Sequence, residues 1–142
     1  MPEITLDVSQ DSWDSEFVPL VGSFVLEITN AELGVSQSQK PKLTLTYGVV
    51  SPETMLHKGR QVSVVGRRVV EHVSLAENAS WTLKQRLTTA GVPFRLEAQE
   101  NGKVKVTFAP EAFIGRRVRA NLVVEEGADG RSYTRVESTQ PA

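Results

Sequence analysis

No cysteine occurs in the chain. That absence excludes a disulfide scaffold, a thiolate zinc site, an iron–sulfur cluster and a thiol nucleophile. Aromatic residues are scarce, with two Trp, two Tyr and five Phe among 142 residues, so any site that works by ring stacking has few residues to draw on. No apolar run approaches the roughly 18 residues that a membrane-spanning helix needs, and the acidic N-terminus is unlike a signal peptide. A soluble, cytoplasmic protein with no membrane partner is expected. Phosphate-binding Gly-rich loops, H-E-x-x-H and the nucleophile elbow are all missing. The two histidines, His57 and His72, lack metal-ligand spacing, and the acids gather in loops and at the N-terminus. No catalytic, metal or cofactor site is therefore expected; a hydrolase or nuclease would need a histidine or carboxylate cluster inside a pocket.

What is present is the composition of an ordinary folded domain, 39% apolar and 23% charged, long enough to bury a core without a structural metal. The formal net charge of −1 conceals a division. Residues 1–53 carry eight acids and two bases, residues 54–119 twelve bases and five acids, and residues 120–142 two bases and four acids. Such asymmetry flags a polyanion partner or an acidic arm, though surface bases also simply solubilise a sheet.

Residues 1–20 hold Glu3, Asp7, Asp11, Asp14 and Glu16 and no base, which reads as a mobile acidic arm that Trp13 and Phe17 could tack down. Such an arm could also compete for a basic groove or serve as a docking peptide for a partner. The pattern then turns to period two, the mark of half-buried strands. Phe24, Leu26 and Ile28 face in on the first strand, and a polar loop runs from Gly34 to Pro41. A second strand, 42–50, turns Leu43, Leu45, Tyr47 and Val49 inward, which makes Tyr47 a core residue. A third strand is predicted from about Arg60 to Val70.

One helix is predicted at about 80–90, capped by Asn78 or Ser80, with Leu83, Leu87 and Ala90 as its stripe and Gly91 and Pro93 stopping it. Trp81 falls nearly opposite the stripe, so it packs under a neighbouring loop or is exposed for a purpose; loop packing is the expectation. Asn101-Gly102 marks a hairpin over about 94–108. A last pair of strands, 117–125 and 131–137, leads to a short polar tail, 138–142, so that the barrel domain spans 21–137.

Three strands, a helix and further strands are the order of an OB-fold antiparallel barrel, with the 94–108 hairpin as an extra. In that fold the nucleic-acid face lies on strands two and three and on the loops joining strands one–two and four–five. Lys40, Lys42, Arg60, Arg67 and Arg68 then fall along a backbone-tracking groove, and Arg117, Arg119 and Arg135 can continue it. Tyr133 is the best outward aromatic for stacking a base and Trp81 the second. Replacing Arg67 and Arg68 together is expected to weaken binding and flatten its salt dependence.

The layout resembles the small OB-fold single-stranded-DNA-binding proteins of tailed bacteriophages. The resemblance rests on the acidic arm, Gly22-Ser-Phe-Val-Leu-Glu-Ile-Thr-Asn-Ala31, Leu43-Thr-Leu-Thr-Tyr47, Gly59-Arg60, the helix from Trp81-Thr-Leu-Lys84 to Ala90-Gly91, and Ile114-Gly115-Arg116-Arg117-Val118. It implies largely sequence-independent binding of single-stranded DNA in phage replication or recombination, in the host cytoplasm. The tail Ser138-Thr-Gln-Pro-Ala142 has no acid, so a partner-recruiting role would fall to the N-terminal arm. Exposed edge strands would favour a homodimer. The rival reading is a β-barrel protein-interaction or assembly module without nucleic-acid binding, which predicts dispersed arginines and a contiguous apolar patch.

Overall fold

The computed structural model of the chain describes residues 3–7, 19–128, 130 and 132–142. Asp11, Trp13, Asp14, Glu16, Phe17, Arg131 and the side chain of Asn78 lie outside the described residues, and with them the readings placed on them. The fold is mainly β with one helix. Its strands are β1 (Gly22–Val35), β2 (Pro41–Ser51), β3 (Thr54–His57), β4 (Arg60–Ser63) and β5 (Arg68–Ser74), then the helix α1 (Ser80–Ala90). After it come β6 (Phe94–Ala98), β7 (Val104–Phe108), β8 (Arg117–Glu126) and β9 (Ser132–Pro141).

Five strands form one antiparallel sheet in the order β5-β2-β1-β8-β9, while β3-β4 and β6-β7 are separate two-stranded hairpins. Strands β1, β2 and β5 form the antiparallel meander, and the β8-β9 pair adds on the other side of β1. The inner face carries the core: Phe24, Leu26 and Ile28 from β1, Leu43, Leu45, Tyr47 and Val49 from β2, and Val118, Ala120 and Leu122 from β8. Their strict alternation with half-buried or exposed neighbours is the predicted period of two. Helix α1 adds Leu83, Leu87 and Ala90 to the same core. Each such aliphatic side chain removed from water contributes about 1.5–3 kcal/mol.

Four expectations are corrected. First, the predicted third strand over 60–70 is two elements. Backbone bonds from Val49 N to Arg67 O (2.9 Å) and from Gly66 N to Val49 O (3.0 Å) hold a turn between β4 and β5. Gly66 adopts φ 82°, a conformation that ends a strand and suits glycine. Second, residues 138–141 are no tail: β9 continues through Pro141, and Thr139 is buried. Third, the N-cap position of α1 is Ala79, without a side-chain cap, so Ser80 is the first helical residue. At the other end Gly91, at φ 70°, donates to the carbonyls of Leu87 and Thr88, as predicted for a glycine stop.

The fourth correction concerns closure. Among the described residues β5 and β9 share no hydrogen-bonded ladder, so the sheet is not a closed barrel. Side chains of α1 occupy the edge of β9 instead. Gln85 Oε1 accepts from Thr139 N (3.1 Å), and Arg86 Nη2 donates to Val136 O (3.5 Å). Polar groups that a fifth ladder would pair are thereby satisfied from the helix.

Candidate functional site

The two unladdered edges, β5 and β9, face each other across an open groove of about 620 Å3. Its walls are Val70–Ser74 on one side and Tyr133–Glu137 on the other, and the start of α1 closes one end with Ala79, Trp81 and Thr82. Trp81 is 66% exposed, so the expected packing under a loop does not occur. Tyr133, on β9 opposite Glu125, is also exposed. The two aromatics that the outward phase singled out thus line one groove, beside Arg135 and His72.

The groove floor is a buried polar cluster. Glu71 lies in the inward phase of β5 between the buried Val69 and Val73. Its Oε1 accepts from Arg86 Nε (2.9 Å) and from the Tyr47 hydroxyl (2.7 Å), and its Oε2 accepts from Arg86 Nη2 (2.6 Å). Side-chain exposure is 3% for Arg86 and 10% for Glu71, so this two-pronged ion pair is shielded from water and from salt. Burial pushes the Tyr47 phenol well above its ordinary value, and the charge and hydrogen bond of Glu71 push it the same way. Burial alone would lower the Arg86 pKa, but the bonds and charge of Glu71 outweigh it and hold the guanidinium charged. Arg86 also donates to Gln85 Oε1, so one side chain ties β5, α1 and β9 together.

Beside the groove, the outer face of β5 and β2 forms a continuous track. Register pairs Lys42 with Ser74, Thr44 with His72, Thr46 with Val70, and Gly48 with Arg68. Lys42 Nζ lies 3.3 Å from His72 Nδ1. Thr44 Oγ1 also lies 3.1 Å from that Nδ1. Lys42 and Arg68 therefore stand at opposite ends of the track, about 20 Å apart at the rise of an extended strand. Lys40 is exposed in the adjoining 36–40 loop.

Other predicted cations are placed elsewhere. Arg60 is exposed on β4, opposite His57 in the β3-β4 hairpin, and not on the main sheet. Arg67 is half-buried in the turn, its backbone N donating to Val64 O (3.1 Å). Arg117 and Arg119 are on β8, with β1 between them and β2. Arg117 Nε donates to Glu27 Oε1 (3.2 Å) and Arg119 Nη1 to Ser23 Oγ (3.5 Å). Arg135 pairs with Glu125 at 2.5 Å, both half-exposed, an ion pair weak enough in water to exchange partners. The groove is thus close to electroneutral, with Arg86 and Arg135 against Glu71 and Glu137, and its positive charge lies at the track ends. Among the described residues no group of His, Asp and Glu is placed to hold a metal ion, and no helix is long and apolar enough to cross a membrane.

Sequence reading missed Glu71 and Arg86. The available signal was positional: residue 71 shares the inward phase of 69 and 73, and residue 86 completes the 83, 87, 90 stripe. No curated protein matches the chain. One family model, described as Protein of unknown function (DUF669), matches residues 4–142, and the chain belongs to that family.

Proposed function

We propose that the chain is a non-enzymatic single-stranded-DNA-binding protein with little sequence preference, acting in phage DNA replication or recombination in the host cytoplasm. The observation that carries this reading is the groove between β5 and β9, which the exposed Trp81 and Tyr133 line together with His72 and Arg135. Unpaired bases present flat apolar faces, and such rings accept them without reading their edges, at about 1–3 kcal/mol per base. Lys42, Lys40 and Arg68, at the ends of the neighbouring track, supply cations for the phosphates. A duplex hides its bases from such a groove. An electroneutral floor suits stacked bases, with the charge left for the backbone at the rims.

The rival reading, a protein-interaction or assembly module without nucleic-acid binding, has its own supporting observation in the apolar face of the β6-β7 hairpin. A fluorescein-labelled oligo-dT titrated with the protein, followed by anisotropy, tests the first. Tight binding of the single strand over the matching duplex is expected, falling steeply between low and moderate salt as counterion release requires. Trp81→Ala and Tyr133→Ala should each weaken it by about 1–3 kcal/mol. Failure to bind single strands at low salt would remove nucleic acid from the account and leave the interaction module.

A further inference from the structure

The β6-β7 hairpin is divided cleanly by face. Its register pairs Phe94 with Phe108, Leu96 with Val106, and Ala98 with Val104, so one face is wholly apolar. The other face carries Arg95 opposite Thr107 and Glu97 opposite Lys105. Phe94 and Phe108 pack against the core, but Leu96, Val104 and Val106 remain between 44% and 61% exposed. This exposed part stands over Ser80, Leu83, Lys84 and Leu87 of α1, leaving an apolar groove of about 220 Å3 between hairpin and helix. Both hairpin strands pair only with each other, so each keeps an unpaired backbone edge among the described residues.

The chain carries a segment of matching chemistry. Glu3-Ile-Thr-Leu-Asp7 alternates apolar and polar residues, so as an extended strand it turns Ile4 and Leu6 to one side. These side chains are 86% and 75% exposed, the most exposed aliphatic residues described, so the segment is not seated on its own chain. Its ends are acidic, whereas the one charged side chain lining the hairpin–helix groove is Lys84; Lys103 lies in the adjoining groove, where it pairs with Glu77 at 3.5 Å. This is also the meeting of the acidic first third of the sequence with its basic middle.

We propose that residues 3–7 dock on the β6-β7 hairpin of a second copy of the chain. Ile4 and Leu6 enter the groove beside Leu96, Val104 and Val106, an acidic end of the segment approaches Lys84, and the backbone adds a strand to a hairpin edge. Exchange of the segment in both directions gives a two-fold dimer, which closes the contact and doubles the apolar surface buried. The contact is separate from the β5-β9 groove and stands whether or not that groove binds DNA.

Absence of cysteine makes a direct test possible. Leu6→Cys and Val106→Cys chains, each with one thiol and distinguishable in mass, are mixed under mild oxidation. Both positions are exposed, so folding is preserved, and circular dichroism checks it. Segment exchange predicts a disulfide-linked heterodimer at about tenfold the yield of Leu6→Cys mixed with Ser23→Cys, because docking raises the local thiol concentration. Ser23 lies exposed at the N-terminal end of β1, paired with Asn121 of β8 and not with the β6-β7 hairpin. Equal yields would overturn the proposal. So would a monomeric cross-link in the doubly substituted chain without heterodimer from the single ones, since the segment would then dock on its own hairpin.

Discussion

Arg86 sits where a helix normally presents an aliphatic side chain. The stripe 83, 87, 90 was legible because leucine and alanine announce it, whereas an arginine in the same stripe is read as solvent-facing. The same habit hid Glu71, flanked by inward Val69 and Val73 on β5. Hydrophobic patterning assumes that charge faces water, and two opposite charges in inward phase break the rule only by meeting each other. The cost of burying them is offset by a bidentate geometry and the Tyr47 hydroxyl. Removing one partner leaves the other buried and unpaired. Arg86→Met should therefore lower unfolding free energy by about 3–5 kcal/mol in urea denaturation, and Glu71→Gln on that background should restore part of the loss. Full additivity of the two changes would contradict the coupling.

Elements were recovered unevenly, and the reasons are local. Helix α1 and the β6-β7 hairpin came out where expected because glycine marks them: Gly91 at φ 70° stops the helix and Gly102 at φ 78° forms the hairpin turn beside Asn101. The third strand did not, although the sign was present. Inward residues are Val62 and Val64 before the break and Val69 and Val73 after it, a change of parity that one strand cannot accommodate, with Gly66 between them. A bulge between Asn121 and Leu122 obscured β9 in a similar way. These breaks redistribute the cations. Arg68 remains on the sheet beside Val70, while Arg60 belongs to the β3-β4 hairpin. Under the proposed function, Arg68→Ala should weaken oligo-dT binding and reduce its salt slope by about one phosphate contact, and Arg60→Ala should leave both unchanged. Equal losses from both would mean that the strand runs over the hairpin as well.

At the scale of the whole molecule, an antiparallel meander, a single helix and a last strand pair could be read from the sequence, whereas the docking of that last pair on β1 emerges only in the sheet order β5-β2-β1-β8-β9. What could not be read is that β5 and β9 stay apart. Across that gap Gln85 and Arg86 reach from α1 to the edge of β9, joining residues 54 and 50 positions apart in the sequence. The opening is what brings Trp81 and Tyr133 to one groove. Its proposed use can be tested at Trp81 itself, because Trp13 is the only other tryptophan in the chain. In a Trp13→Phe protein all indole emission comes from Trp81. Titration with oligo-dT should quench that emission to saturation at the stoichiometry of binding, with recovery on adding salt. Binding detected by anisotropy without any change in Trp81 emission would place the DNA outside the groove and contradict the account.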